Sequence, residues 1–343
     1  MSMADQNGNH YIRPYQPDDA ASMHRVAVRA ALNDGVDSLS TLESIPSLED
    51  LVNSLEANNS DTDADVFVAV DGETNEVVGY GKVSWWDEED GTFLYLHQGR
   101  VDPAHRRQGV GGSLLETLQD RIKEIVAEHP IDAPKMLGAN ASESEKDTLA
   151  LIDKNGYQKV WSSLEMEFTD FSKIDGITLP EGYELRPVES EEDKHKVYKA
   201  NKEIYEGTWG NTPDSDEDYQ DFLAQSPDSS LWRVAWHGNE VAGFVLSRVE
   251  ARQSAAGSDT QVAEVTQVGV LPVFRRKGLA GALMAESLRS LHVRGMEIVR
   301  LHTDADGKMG GRQLYDNLGF SALKEHHRFR KPLEDDSNLT TGS

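Results

Sequence analysis

One stretch of this chain occurs twice. Val101-Asp102-Pro103-Ala104-His105-Arg106-Arg107-Gln108-Gly109-Val110-Gly111 returns as Val270-Leu271-Pro272-Val273-Phe274-Arg275-Arg276-Lys277-Gly278-Leu279-Ala280. Around it, Tyr11-Ile12-Arg13-Pro14 returns as Glu184-Leu185-Arg186-Pro187, and Val77-Val78-Gly79-Tyr80 as Val241-Ala242-Gly243-Phe244. Asn155-Gly156-Tyr157 returns as Leu318-Gly319-Phe320. Matches in the same order make the chain an internal duplication, and 343 residues suit two cores better than one. Asp, Gly and Pro between Asp170 and Gly182 suggest the join. The expected division is a first domain over 1–170, a linker over 171–182, a second domain over 183–333 and a disordered tail over 334–343.

Each half reads as strand, two helices, three strands, helix, strand, helix, two strands. In the second half Leu231 to Trp236 and Val241 to Val249 are strand-like, with a turn at His237-Gly238-Asn239. A third strand, Glu264 to Val270, runs into Pro272, which cannot donate to a ladder. Leu279, Leu283, Leu288 and Leu291 form a helical stripe. Ile298 to Leu301 is a short strand, Gly310 to Leu318 a helix closed by Gly319, and the last strand lies around His326 to Arg330. The fold class is α/β, with a mixed central sheet flanked by helices in each half.

The repeated segment is a strand, then Arg-x-x-Gly-x-Gly/Ala, then a helix. Glycines there let the backbone approach a ligand closely and leave successive N–H groups pointing outward. The helix N-terminus adds partial positive charge, so the junction suits a pyrophosphate. Arg275, Arg276 and Lys277 add full charges in the second half, as do Arg106 and Arg107 in the first. A single such turn is also what a plain strand-to-helix connection looks like. Its duplication behind Val-x-Pro is what raises the signal. A dinucleotide fingerprint does not fit, since no first-strand glycine pattern with a downstream acid is present.

The Val-x-Pro-x-x-Arg-x-x-Gly-x-Gly/Ala pattern resembles the acetyl-CoA signature of the GNAT acetyltransferase superfamily. Leu314-Tyr315-x-x-x-Gly319-Phe320 resembles its second signature, and the arrangement as a whole is similar to tandem members of the mycothiol-synthase type. The resemblance spans nearly the whole chain and implies two tandem GNAT-like domains using acetyl-CoA. It implies that amides from Arg276 through Lys277, Gly278 and Leu279 to Ala280 hold the CoA pyrophosphate. It also implies that the backbone of Val268, Gly269 and Val270 pairs with the pantetheine arm, with the Val268 N–H polarising the thioester carbonyl. Arg106, Arg107, Gln108, Gly109, Val110 and Gly111 are the matching positions of the first half.

Acetyl transfer to an amine needs an ammonium deprotonated and a departing thiolate protonated. Tyr315 stands where the superfamily commonly places the general acid, and a phenol of pKa about 10 can protonate a thiolate whose thiol titrates near 8.5. The plainer reading is a helix tyrosine packed in the core. Glu264, in Glu264-Val265-Thr266-Gln267-Val268-Gly269-Val270, matches the glutamate that serves as general base, through water, in the mycothiol-synthase type. An exposed strand glutamate is its plainer reading.

The acceptor is expected beside Tyr205-Glu206-Gly207-Thr208-Trp209-Gly210 and the acidic stretch Asp214 to Asp221, with Glu206 holding a cation and Trp209 walling the pocket or lying in the core. Asp304 and Asp306 are further substrate candidates. One departure is Lys308, where the family often has asparagine seven residues before the tyrosine; Gly310 and Gly311 neighbour it. In the first half, alignment on the glycine turns sets Tyr95 opposite Glu264, and alignment on the later Gly-aromatic pair sets Ile152 opposite Tyr315. That half is expected to be catalytically degenerate while keeping its turn. His97 is a substitute candidate, although a lone strand histidine is more often packed or solvated.

Charge narrows the partners. Asp plus Glu number 60 against 34 Lys plus Arg, a formal net charge of -26. Such a surface repels phosphate backbones, so no nucleic-acid partner is expected. The acids are spread out, which fits solubility or a salty cytoplasm before it fits substrate attraction. Cysteine is absent, so disulfides, thiolate metal sites and a cysteine nucleophile are excluded. No His/Asp cluster has ligand spacing, and no metal is expected. MSMADQNGNHY does not read as a signal peptide and no apolar run reaches bilayer length, so a cytoplasmic protein without membrane contact is expected. A small-molecule amine and a monomeric chain are the preferred readings. A protein or peptide N-acetyltransferase and a non-catalytic CoA-binding regulator are the alternatives.

Overall fold

In a computed structural model the described residues are 9–333 apart from 41, 44, 46, 57–64, 89–90, 129–132, 207–213, 254–258 and 308–309. Trp209, Lys308 and the expected tail over 334–343 lie outside them.

The chain forms two compact units, Met1–Trp161 with His326–Ser343, and Ser162–Glu325. In the first, β1 (His10–Pro14), α1 (Ala20–Asn33), α2 (Leu48–Glu56), β2 (Val66–Asp71), β3 (Val77–Asp87) and β4 (Phe93–Val101) precede the long helix α3 (Val110–Glu128). β5 (Lys135–Ser142), α4 (Lys146–Lys154) and the start of β6 (Gln158–Phe168) follow. In the second, the rest of β6 leads to β7 (Glu184–Leu185), α5 (Glu191–Tyr205), α6 (Asp216–Gln225), β8 (Arg233–His237), β9 (Glu240–Gln253) and β10 (Asp259–Val270). Then come α7 (Leu279–Val293), β11 (Val299–Asp304), α8 (Gly311–Leu318) and β12 (Ser321–Pro332).

The sheet is mixed within each unit, as the sequence predicts. In the first unit neighbours run β1-β2-β3-β4-β5-β12, with β4 and β5 parallel and the other pairs antiparallel. In the second they run β6-β11-β10-β9-β8-β7, with β10 and β11 parallel.

The boundaries differ from the expected ones. Each half ends in one long strand, not two, and that strand passes from its own unit into the other: β6 divides after Trp161 and β12 after Glu325. The composition around 171–182 is loop-like, yet the segment belongs to the second unit. Ile174 is buried in its core, Phe171 stacks on His292 at 4.2 Å, and Arg289 on α7 donates to the carbonyls of Ile174 and Ile177. A short Asp-, Gly- and Pro-containing stretch thus caps a core instead of linking two.

The cores follow the periodicities. α7 buries Leu279, Ala282, Leu283, Leu288 and Leu291 along one stripe, each fully buried leucine contributing about 1.5–3 kcal/mol. α3 does the same with Val110, Leu114, Leu118, Ile122 and Ile125.

Candidate functional site

The two glycine turns have the same backbone. Arg107 and Arg276 have φ of 59° and 62°, and Gly109 and Gly278 have 92° and 78°. A left-handed arginine carries strain of about 1 kcal/mol or more, and both turns keep it. Left-handed residues here turn successive N–H groups to one side, which forms an anion-binding nest. At the start of α7, Ala282 N–H reaches Gly278 O, so the amides of Leu279, Ala280 and Gly281 precede the helix ladder.

The basic residues divide their work. Arg275 Nε donates to Val270 O at 2.8 Å and Arg106 Nε to Val101 O at 3.1 Å, so both fasten the turn to the strand before it. Arg106 also grips Asp34 at 2.6 and 2.8 Å, which takes up its charge. Arg107 pairs with Asp147, Gln108 bonds to Ala104 O, and Arg276 and Lys277 stay exposed beside Gly278. Leu279 and Val110 bury their side chains, so these two positions offer a ligand only their backbone.

Ahead of each turn the sheet opens. β10 pairs with β11 only over Ala263–Val265, and Gln267 to Val270 run on without a β11 partner among the described residues. β4 leaves β5 in the same way after the Leu96–Gly138 pair. An extended thioester arm fits such a cleft, with the nest at its end. The residues present therefore suit acetyl-CoA.

Glu264 sits at this fork and is 8% exposed. Arg248 holds it at 2.5 and 2.8 Å, and His302 Nε2 lies 3.7 Å from its other oxygen. The same sheet face carries Arg300, which reaches Glu165 at 3.3 Å and Glu167 at 3.0 Å. Arg300 and Glu165 are nearly inaccessible, at 3% and 1%. Buried charges persist only when paired, and these are paired.

Tyr315 is buried on α8, with its ring centroid 5.8 Å from that of Phe320. Burial first, then the neighbouring Tyr205 phenol, raises its pKa above the ordinary 10.0. The hydroxyl is therefore held protonated, the form a proton donor needs. A Cβ on Gly311 would stand 2.9 Å from Thr303 Oγ1 and 3.2 Å from the Tyr315 ring, so a side chain there would push against both. Tyr205 donates to Val268 O at 2.8 Å, fixing the strand edge. Glu206 ends α5 exposed, and Asp304 ends β11 with Oδ1 accepting from Asp306 N–H.

One equivalence moves. β10 holds a bulge between Val265 and Gln267 that β4 lacks. Counted through strand partners, Gly99 matches Val268, but Glu264, opposite Arg248, matches Leu96, opposite Ser84. Counting from the turns selects Tyr95, one residue off. Both readings leave the first unit without a carboxylate there, and Ile152 is buried where Tyr315 stands. His97 is packed: Nε2 lies 2.6 Å from the Tyr157 hydroxyl, which also accepts from Gln119 at 3.0 Å. Burial pushes His97 down to about 4 and Tyr157 up to about 12. The first unit nonetheless holds a cavity of about 500 Å³, bordered by Gln98, Gly99, Arg107, Gly109, Asn140 and Arg328.

Arg248, His302, Glu165 and Arg300 were not singled out from sequence, and Tyr205 was named only within the stretch expected beside the acceptor, without its bond to the strand edge. For Glu165 the one signal is the alternation in Ser163-Leu164-Glu165-Met166-Glu167, which normally means a solvated strand face.

Two signature turns, a forked mixed sheet and a buried tyrosine after the fork define an acyl-CoA-dependent transferase. The Acetyltransferase (GNAT) family model matches residues 33–133 and 194–320, and the chain belongs to that family, whose members are acetyl-CoA-dependent N-acetyltransferases. Among its relatives, a mycothiol acetyltransferase of Kytococcus sedentarius is 26% identical over 92% of this chain and 95% of its own. One of Catenulispora acidiphila is 28% identical over 76% and 80%. In fold the chain is similar to a GCN5-related N-acetyltransferase of Sphaerobacter thermophilus, with TM-score 0.71, 22% identity and coverage of 95% and 96%. It is also similar to a tandem GNAT protein from the clavulanic acid biosynthesis pathway, with TM-score 0.64, 17% identity and coverage of 95% and 100%. Among the described residues no helix is long and apolar enough to cross a membrane.

Proposed function

We propose that the second unit acetylates a primary amine of a small molecule by direct transfer from acetyl-CoA, with Glu264 as general base and Tyr315 as general acid. The observation that carries this reading is the buried Glu264 carboxylate at the point where β10 leaves β11, directly ahead of the nest. Arg248 fixes one carboxylate oxygen, so the other is the one offered towards His302 and the acceptor side. Glu264 takes one ammonium proton through water, the nitrogen bonds to the acetyl carbon as the carbon–sulfur bond breaks, Tyr315 protonates the departing thiolate, and the second proton that the nitrogen sheds on becoming an amide restores the Tyr315 phenol through solvent. The Val268 N–H polarises the thioester carbonyl, and the amides from Arg276 to Ala280 hold the pyrophosphate. Arg275 acts through the turn it fastens.

The relatives' name, mycothiol acetyltransferase, supports a small amine of the mycothiol series as acceptor. Glu206 and Asp304 are the acids proposed to meet it, and Trp209, outside the described residues, remains a pocket-wall candidate. The first unit is proposed to keep a CoA cradle without acid–base chemistry. The test is CoA release from acetyl-CoA over amino-sugar conjugates, aminoglycosides, polyamines, amino acids and N-terminal peptides. Turnover confined to one small-amine class supports the reading. Turnover with peptides alone makes the acceptor a protein, and acetyl-CoA binding without release by any amine leaves a CoA-binding regulator.

A further inference from the structure

The matched strands invert their charge between the units. In the second unit Glu264, Arg300 and His302 occupy the fork, and β6 sets Glu167 opposite Arg300 and Glu165 opposite His302. In the first unit the same places hold Leu96, Gly138 and Asn140, and β12 sets Arg330 opposite Gly138 and Arg328 opposite Asn140. Carboxylates on the acceptor-side face of one unit are thus guanidinium groups on the other.

These two arginines differ in how they are held. Arg330 reaches Glu88 at 3.1 Å. Arg328 is half-buried, borders the 500 Å³ cavity, and has no carboxylate partner among the described residues. Burial and the charge of Arg330 both push its pKa below the ordinary value, as expected of a cation lacking a counter-charge. The cavity's other arginines are engaged: Arg100 with Glu145, Arg106 with Asp34, Arg107 with Asp147. Glu43, also in the lining, accepts from the Asp37 N–H. Beside Arg328 in register, Asn140 has a buried amide oxygen without a hydrogen-bond partner. That oxygen can only accept, so the donors to a carboxylate here are the Arg328 guanidinium N–H groups, which can bind it bidentately.

We propose that the first unit's cavity binds a carboxylate at the Arg328 guanidinium. The carboxylate is either the free end of a dicarboxylic acyl group on CoA or that of a separate small acid. The CoA form rests on reading the first turn as a CoA cradle; the separate acid does not.

The test is calorimetric titration of the full chain with acetyl-CoA, succinyl-CoA and succinate, on the native protein, Arg328→Gln and Arg328→Lys. One CoA site is expected to prefer succinyl-CoA over acetyl-CoA by about tenfold, the scale of one charge-assisted contact. Arg328→Gln should abolish that preference, Arg328→Lys should keep part of it, and amine acetylation should continue in both. Succinate binding that Arg328→Gln removes, without a preference among thioesters, assigns the carboxylate to a separate acid. Equal binding of both thioesters, no uptake of succinate and no effect of Arg328→Gln overturn the proposal. Failure of the amine-acetylation reading shows up separately, as absence of turnover.

Discussion

At the residue scale the account rests on two side chains whose surroundings were only partly legible. Glu264 and Tyr315 stand out in sequence by the motifs around them, but the partners that set their state do not. Arg248 and His302 come from other strands, and nothing local in Leu246-Ser247-Arg248 marks a partner sixteen residues away. Tyr315→Phe should lower kcat by about a hundredfold or more with little change in KM, the usual size of a lost general acid, as initial-rate kinetics would show. Because its pKa is raised, Tyr315 should cause no loss of rate on the alkaline side below pH about 10; an alkaline limb near pH 8 that Tyr315→Phe removes would contradict this. Arg300→Met removes the guanidinium that Glu165 and Glu167 share and should destabilise the second unit by about 3–5 kcal/mol in urea unfolding. His97 gives a pH prediction with a definite sign. Its folded pKa, about 4, lies below the 6.5 of the free side chain, so the unfolded chain takes the proton first. Stability is complete above pH about 6.5 and falls as pH drops towards 4, by on the order of 3 kcal/mol. Denaturant midpoints across that range should slope in the native protein and flatten in His97→Gln.

At the element scale, the turn was the most legible part, because glycine and proline act locally and their backbone demands survive any tertiary context. The forked strands and the bulge were not, since a single extra residue such as Thr266 leaves no mark on alternation until its partner strand is known. That is why counting along the chain chose Tyr95 when the sheet chose Leu96. A Cβ on Gly278 would meet open space, but its φ is 78°, so Gly278→Val adds backbone strain to the turn. Acetyl-CoA KM should rise at least several-fold while kcat at saturation stays near the native value. A fall in kcat with KM unchanged would mean that the turn does not cradle the CoA.

At the scale of the whole molecule, duplication was plain from sequence and the strand exchange was not. Both long strands carry ordinary β patterns, and nothing in Gln158–Phe168 or Ser321–Pro332 says in which unit either half lies. The duplication makes one unit the natural control for the other. The most direct measurement is steady-state acetylation of the best amine by the native chain, Tyr315→Phe, Glu264→Gln and Gly109→Val. The account predicts that the two substitutions in the second unit abolish most of kcat, while Gly109→Val, which strains the turn of the first, leaves it near native. Loss of turnover in Gly109→Val with activity surviving in Tyr315→Phe and Glu264→Gln would place the chemistry in the first unit and contradict the account.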